Sequence, residues 1–471
     1  MSEKDKTTKL LEKAERRAKL YEKKYAPQMA LLESKDNLLS KARAVTSYDK
    51  YVLGKQLEAF DGLKRMLEYD GSVNMLGVLP RIAYDVLTIS YSSSIIPILA
   101  SVQPIEEAQG LVYFKQIKAW DSRGNFTAGD TILDPRTGLV TPQGYANNSI
   151  SAESCASGDG ASTSFTFTLA ELPLKGSTYF YEVTATVVIY GQDDSNGVIN
   201  GTGVSGTIDY ETGLVTLEFA TAPVLAKVIA CNYSQNFEAS TDIPQIQGNY
   251  ATATVNAKIY ALKTTVGLME TYSMKKRFGF VAEDEMAKDL VSEMNAEIGG
   301  DMIRIMAAVA ISTVTFNTVP GAGISWFEHK QQLIDKIFAD AGANLILNAG
   351  RGTINLMVAG YKAAGTLSTL PGFELVTDGN SIGAHLYGTL KGVPIIRVPE
   401  TAVLDDSTIL CAFKGTSPFE APMVYAPYMP LTVTGLLPMS PNPLMSQRAA
   451  ATWAGVQSII PEFITKVVLT Y

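Results

Sequence analysis

Residues 379–383 read Gly-Asn-Ser-Ile-Gly, the G-x-S-x-G spacing of a hydrolase nucleophile elbow. In such an elbow a sharp turn lifts a serine hydroxyl toward an acyl carbon. That chemistry needs a histidine to take the serine's proton and a carboxylate to orient the histidine. The chain has 2 histidines. His329 precedes Ser381, and His385 follows it too closely to leave room for the intervening acid. Asp378-Gly379-Asn380 reads better as a tight turn. Gly201-Thr202-Gly203-Val204-Ser205-Gly206 has the G-x-G-x-x-G spacing that cradles a pyrophosphate when a strand precedes it and a helix follows. Here TIDYETGLVTLEF follows, with the alternation of a strand, so a β-hairpin fits. Gly350-Arg351-Gly352-Thr353 lacks the lysine and the length of a phosphate loop.

Metal chemistry fares no better. Two histidines and the scattered Cys155, Cys231 and Cys411 make no usual zinc set. The turn Asp193-Asp194-Ser195-Asn196-Gly197 offers carboxylates, but no Glu closes it at calcium-loop spacing. Glu283, Asp284 and Glu285 open a helical pattern, where the helix dipole favours acids without any catalytic role. No catalytic, cofactor-binding or metal site survives these checks. The chain reads as a non-enzyme with no cofactor, and a serine hydrolase using Ser381 is the unlikely enzymatic alternative.

What the elements must position is therefore contact surface. At 471 residues the chain is long enough for several domains. Hydrophobic residues make up 46% and charged residues only 18%, so part of the surface is expected to be covered by neighbours. Tyr (22) outnumbers Phe (17), which suits rings that pack while a hydroxyl stays wet. A net charge of −8 is not that of a dedicated nucleic-acid binder. Residues 1–25 nevertheless carry nine Lys/Arg against five Asp/Glu, a basic head on an acidic body. That charged start does not read as a secretory leader. The three cysteines are odd in number and far apart, so their spacing implies no disulfide framework, and free thiols suit synthesis in a reducing cytoplasm. The apolar run from Val86 to Ile105 is broken by serines, Pro97 and Pro104 and reads as buried strand or loop, not a membrane span.

Residues 1–72 are expected to be a helical arm. Leu10, Ala14, Ala18, Tyr21 and Tyr25 form one apolar stripe, Pro27 punctuates it, and a second helical pattern runs from Gln28 to Leu67. The stripe needs a partner, which a neighbouring subunit would supply. Residues 73–120 turn apolar and β-branched, and GLVYFKQIKAW alternates as a strand. Residues 121–245 form an island of β composition, with strands at TSFTFTL, YFYEVTATVVIY, GTIDYETGLVTLEF and AKVIACNY, and turns at Asp193–Gly197 and Thr212-Gly213. This reads as an inserted, sandwich-like all-β domain. Over 246–325 an alternating arm leads to a long helix at 283–312, with Leu290, Met294, Ile298, Ile305 and Val309 at helical spacing. Gly299-Gly300 would interrupt or kink it. Residues 326–440 mix a helix (WFEHKQQLIDKIFADA) with strands (LILNA, VPIIRV, TILCAF), and 441–471 end in a strand. The class is α+β.

Four stretches, in order along the chain, resemble the major capsid proteins of T4-like tailed phages, which carry the HK97 fold. They are LPRIAYDVLTISYSSSIIPILASVQPIEEAQGLVYFKQIKA, VNAKIYALKTTVGLMETYSMKKRFGFVAEDEMAKDLVSEMNAEIGGDMIRIM, Gly350-Arg351-Gly352-Thr353, and Phe413-Lys414-Gly415-Thr416 followed by Tyr425-Ala426-Pro427-Tyr428-Met429-Pro430-Leu431-Thr432. The departures are Ser101 before Val102-Gln103-Pro104, and Met294 with Asn295 in the long helix.

The resemblance implies an HK97-type fold with an N-terminal arm (1–72), an arm and extended-loop base (73–120), and the inserted domain within that loop (121–245). A peripheral domain with a spine helix (246–325), an axial domain (326–440) and a return to the peripheral domain (441–471) follow. It implies self-assembly into hexamers and possibly pentamers of an icosahedral shell around packaged phage DNA. Implied partners are other copies of the chain and, at the inner face or on the shell, scaffold, portal, decoration proteins and double-stranded DNA, with no membrane. The location implied is the virion, after synthesis in the host cytoplasm. A vertex or encapsulin-type shell protein is one alternative, and a tail or adhesin structural protein another. Family members are often trimmed by a prohead protease after Leu/Ile-x-Glu. Leu31-Leu32-Glu33 fits, making Glu33 a weak candidate position, since Leu10-Leu11-Glu12 and Ile105-Glu106-Glu107 fit equally.

Overall fold

A computed structural model describes residues 3–34, 37–69, 88, 91, 94–123, 126–133, 145–182, 188–240, 243–279, 282–376, 383–434, 437–438, 442 and 444–471. The chain divides into two units, one of Met1–Gln116, Asp134–Leu139 and Tyr250–Tyr471, the other of Ile117–Leu133 and Val140–Asn249.

The first unit opens with helices α1 (Glu3–Lys24), α2 (Ala26–Leu32), α3 (Leu38–Ala42) and α4 (Ser47–Tyr69). Pro27 sits in the first turn of α2, where its missing N–H costs nothing. The single helix expected from Gln28 to Leu67 is therefore three. The break has a local cause at Arg43, whose backbone is extended. Just beyond it Thr46 and Asp49 form a capping box. Thr46 N donates to Asp49 Oδ2 at 2.9 Å, and Asp49 N donates to Thr46 Oγ1 at 3.3 Å.

The apolar stripe of α1 does not wait for a neighbouring subunit. Ala18, Tyr21 and Tyr25 are buried, and α4 of the same chain covers them. Tyr21 Oη donates to Glu58 Oε2 and Tyr25 Oη to Asp61 Oδ2, both at 2.5 Å. A Cβ on Gly54 would lie 2.2 Å from the Tyr21 ring, so the absent side chain sets how closely the two helices approach. Below this pair, Met29, Leu32, Leu39, Val52, Leu53 and Leu57 join the main core. A short helix α5 (Ile96–Leu99) and strand β1 (Ala100–Val102) follow, wholly buried. The apolar run is expected as strand or loop, so α5 departs from that reading, and 86–87, 89–90 and 92–93 lie outside the described residues. Strand β2 (Gln109–Ala119) then leads out of the first unit.

The second unit is all β among its described residues. After β3 (Thr131–Leu133), which pairs with β2, come β4 (Ser149–Ser157), β5 (Ser164–Thr168), β6 (Tyr179–Glu182) and β7 (Val188–Asp193). β8 (Val198–Gly201), β9 (Val204–Ile208), β10 (Leu214–Phe219) and β11 (Val228–Ser234) complete it. They form an antiparallel sheet in the order β4-β11-β6-β7-β8-β9-β10-β5. Its core holds Phe180, Ile199, Val215, Leu217, Ile229 and Cys231. The turns fall at the expected residues, with Gly197 at φ 88° and Gly213 at φ 71°.

The chain returns along β12 (Ile246–Asn256), which pairs with β2, and continues into β13 (Lys258–Gly267). Helix α6 (Leu268–Phe278) stops at Gly279 in the left-handed region. Helix α7 (Ala282–Val309) runs 28 residues, about 42 Å at 1.5 Å per residue. It ends before Ser312 because that residue already starts β14 (Ser312–Asn317). Gly299 and Gly300 do not interrupt it. A Cβ on Gly299 would meet Ile95 at 2.9 Å and one on Gly300 would meet Val403 at 3.3 Å, so they permit close packing. The buried face carries Leu290, Val291, Met294, Ile298, Met302 and Met306.

The remainder comprises α8 (Trp326–Asp335), a π-helical turn (Lys336–Ala341), α9 (Gly342–Ala349), β15 (Leu356–Gly360), α10 (Tyr361–Ser368) and β16 (Phe373–Leu375). Then come β17 (His385–Leu390), β18 (Val393–Val398), β19 (Thr408–Ala412), β20 (Met423–Val433), β21 (Leu437–Pro438), β22 (Met445–Ser458) and β23 (Ile464–Thr470). LILNA, expected as a strand, is the last turn and a half of α9. Leu345 and Ala349, four apart, are both buried, and Gly350 caps the end. One sheet runs β1-β20-β22-β13 with β21 on β22; the other runs β14-β23-β19-β15-β18-β17-β16. Strands from 312–317 and 464–470 thus enter the seven-stranded sheet, while 423–433 leaves it. Sheet membership does not follow the expected boundaries at 326 and 440.

Candidate assembly surfaces

The chemistry-bearing patterns resolve into local structure. Ser381 lies outside the described residues. His385 Nδ1 is 3.0 Å from Gly383 O. His329 Nε2 is 2.7 Å from Asn317 O, and its ring stacks on Phe316 with centroids 4.9 Å apart. Gly201–Gly206 is the β8–β9 hairpin. A Cβ on Gly201 would fall 1.7 Å from Tyr190 O and one on Gly206 2.3 Å from Thr216 O, so these glycines serve close strand approach. Arg351, between Gly350 and Gly352, pairs with Glu420 at 3.1 Å. Asp193 spends its oxygens on its own turn and on two neighbouring segments, accepting from Ser195 N (3.0 Å), Gly176 N (2.7 Å) and Tyr210 Oη (2.6 Å). No metal-holding group of acids, histidines or cysteines occurs among the described residues. No helix among them is long and apolar enough to cross a membrane.

In the sequence Lys414 stands out only as one letter of the Phe413-Lys414-Gly415-Thr416 motif. The structure half-buries it, in the lining of a cavity of about 440 Å³ that it shares with Arg43, Asp49, Tyr91, Ser417 and Pro418. Its Nζ donates to the carbonyls of Pro97, Ile98 (3.3 Å) and Ala100 (2.7 Å). One ammonium thus ties the α5–β1 segment to the loop after β19. Burial pulls its pKa down to about 7, with Arg43 adding to the shift and Asp49 opposing it. Arg43 in turn grips Asp49 with two bonds of 2.7 Å. Burial works against the Asp49 carboxylate, but Arg43 and Thr46 outweigh it and hold its pKa below the ordinary value. A charged clasp inside a core is a feature that hydropathy patterning cannot show, because each member looks like a surface residue in its own segment.

The more telling surfaces are apolar. Helix α6 buries none of its residues in the free chain. Leu268, Tyr272 and Phe278 are all more than half exposed, Met269 is 81% exposed, and Lys275, Lys276 and Arg277 close the last turn. Such a helix has no packing reason to persist alone, since short isolated helices are marginal in water. A second patch gathers at the start of α8, where Ile324, Trp326 and Phe327 stand exposed beside Glu328. Leu111 and Tyr113 on β2 and Ile259 on the edge strand β13 are exposed as well. Exposed aromatic and aliphatic clusters of this kind mark contacts with other macromolecules.

A family model, the major capsid protein Gp23, matches residues 83–454. No individually curated protein matches the chain. Among solved structures, the capsid of jumbo bacteriophage PhiKZ is 9% identical with a TM-score of 0.44, over 79% of this chain and 91% of that one. The capsid of the Myoviridae phage XM1 is 10% identical with a TM-score of 0.32, over 66% and 87%. A virus-like particle from Pyrococcus furiosus is 11% identical with a TM-score of 0.31, over 47% and 80%. It is the family match that carries weight, and it spans most of the chain.

Proposed function

Because the chain belongs to the family of the major capsid protein Gp23, we propose that its exposed apolar elements are the contacts through which copies build the shell. The protein is a structural subunit of a phage capsid, located in the virion, and not an enzyme. What supports the reading of the contacts is α6, a well-formed helix with no buried residue and four large apolar side chains in solvent. A neighbouring copy would cover it. Each contact can be modest, because many repeated contacts add through multivalency and closed symmetry limits growth to a shell.

On this reading the parts take HK97-type roles. α1–α4 form the arm, the β2–β12 pair the base of the extended loop, and Ile117–Leu133 with Val140–Asn249 the inserted domain. α7 is the spine of a peripheral domain with the β1-β20-β22-β13 sheet, and the seven-stranded sheet with α8–α10 is the axial domain. The capsomers of the shell are hexamers. The basic head of residues 1–25 meets scaffold or packaged DNA through charge, and portal and decoration proteins contact the finished shell. Cleavage after Glu33 requires α2 to lift off first. Leu32 is fully buried and Glu33 pairs with Lys50, so trimming there belongs to an immature state of the arm. Deleting residues 1–25 tests the head: assembly should weaken and lose its salt dependence, whereas unchanged assembly at every salt concentration would remove the electrostatic role.

A further inference from the structure

Cys155 and Cys231 lie 76 positions apart in sequence, yet their sulfurs sit 3.0 Å from each other in the second unit. The meeting is produced by a β-bulge. In the β4–β11 ladder Ile229 faces Ala156 and Ala230 faces Ser154, so Cys155 is the extra residue. In a regular ladder Cys155 would face Ala230 and point away from Cys231, because neighbouring residues alternate faces. The bulge turns Cys155 onto the core side. There Cys231 is fully buried, and Cys155 packs partly exposed against the same cluster. The two sulfurs need close by only about 1 Å to reach a bonded separation of roughly 2.05 Å. Cys411, the third thiol, is buried in the core beneath the seven-stranded sheet, and burial pushes its pKa up to about 12.

We propose that Cys155 and Cys231 are a modification site, closing to a disulfide that ties β4 to β11 when the particle leaves the reducing cytoplasm. The oxidant is a low-molecular-weight disulfide such as oxidised glutathione. Cys155, the accessible sulfur, attacks as thiolate, breaking the glutathione S–S bond and releasing one glutathione, which takes a proton. Cys231 then loses its proton and attacks the Cys155 sulfur in the mixed disulfide, releasing the second glutathione as a thiol. Two cysteines are oxidised by two electrons, and one glutathione disulfide is reduced to two thiols. Contact with Cys155 and burial hold the Cys231 thiol well above its ordinary pKa, so the second step is slow and the pair stays reduced during synthesis. Closing so long a loop lowers the unfolding equilibrium of the unit by on the order of a thousandfold. The timing rests on the shell function, because virions leave a reducing compartment for an oxidising one.

The full chain, purified with reductant, should show three alkylatable thiols after unfolding. After incubation with oxidised glutathione, peptide mapping should find Cys155 and Cys231 joined, two hydrogens lighter, with Cys411 still alkylated. Oxidation should also slow proteolysis of the unit in the native chain and in Cys411→Ser, but not in Cys231→Ser, which should hold glutathione on Cys155. Three free thiols after oxidation, or glutathione retained on Cys155 of the native chain, would overturn the proposal, as would equal protection of Cys231→Ser. The readout is a covalent bond within one chain, so failure to form shells would leave it standing, and its absence would leave the shell function standing.

Discussion

Replacing Lys414 by Met should make the stability difference from the native chain depend on pH between 7 and 10. The native ammonium is half-buried in the cavity lining, and the desolvation there lowers its pKa from 10.5 to about 7. The unfolded chain therefore binds more protons over that window, and native stability rises as pH climbs from 7 toward 10.5. A shift of this size corresponds to about 5 kcal/mol, since one pKa unit is about 1.4 kcal/mol. Met does not titrate, so the variant lacks that gain. It also leaves the carbonyls of Ile98 and Ala100 without the donor, at about 1–3 kcal/mol each. Pro97 O keeps only a 3.5 Å contact from Arg43. Below pH 7 the relief of a buried charge offsets these losses and the two proteins should be nearly equal. Near pH 10 the variant should be weaker by several kcal/mol. Hydrogen exchange read on peptides covering 94–105 and 413–420 reports this locally, and other titrations cancel in the comparison. A difference that stays constant from pH 7 to 10 would refute the reasoning, because it would mean that the lysine keeps an ordinary pKa in the fold.

Three further outcomes are expected. Arg43→Ala leaves the Asp49 carboxylate buried without its partner and should cost about 3–5 kcal/mol at neutral pH. The native chain should lose stability as pH falls below about 4, through the depressed pKa of Asp49, while this variant regains some there; denaturant titrations at about pH 3 and pH 7 read both signs. Gly54→Leu drives a side chain into the Tyr21 ring, so α1 should detach at a cost of about 1–3 kcal/mol and its lysines become early sites of tryptic cleavage. Tyr272→Glu, on the exposed face of α6, should change subunit stability by no more than about 0.5 kcal/mol yet sharply lower shell yield in sedimentation.

The parts of the fold that were legible in the residues are those decided locally. Most strands of the second unit follow from alternation and from turns needing positive φ, as at Gly197 and Gly213. YFYEVTATVVIY, expected as one strand, supplies the antiparallel pair β6 and β7, because alternation alone does not show where a strand folds back. The long helix follows from Leu290, Met294 and Ile298 at helical spacing. LILNA misled because a short apolar run has no period of its own, and only its place between the π-helical turn and the Gly350 cap decides for helix. The partner of the α1 stripe was misplaced for another reason. An apolar stripe shows that something covers it, but whether the cover is α4 or another chain depends on a close approach at Gly54 that no pattern encodes. The Lys414 clasp and the Cys155–Cys231 pair were invisible for the same cause, each joining residues remote along the chain. Family membership was carried by ordered motifs, and the match over 83–454 bears it out.

The most direct test of the account is electron microscopy of the full chain assembled from purified subunit, native beside a variant in which Met269, Tyr272 and Phe278 of α6 are all replaced by Glu. The account predicts closed shells or ordered capsomers for the native chain, and folded subunits that do not assemble for the variant. Native protein that stays monomeric at high micromolar concentration, or a variant that closes shells as readily as the native chain, would contradict it.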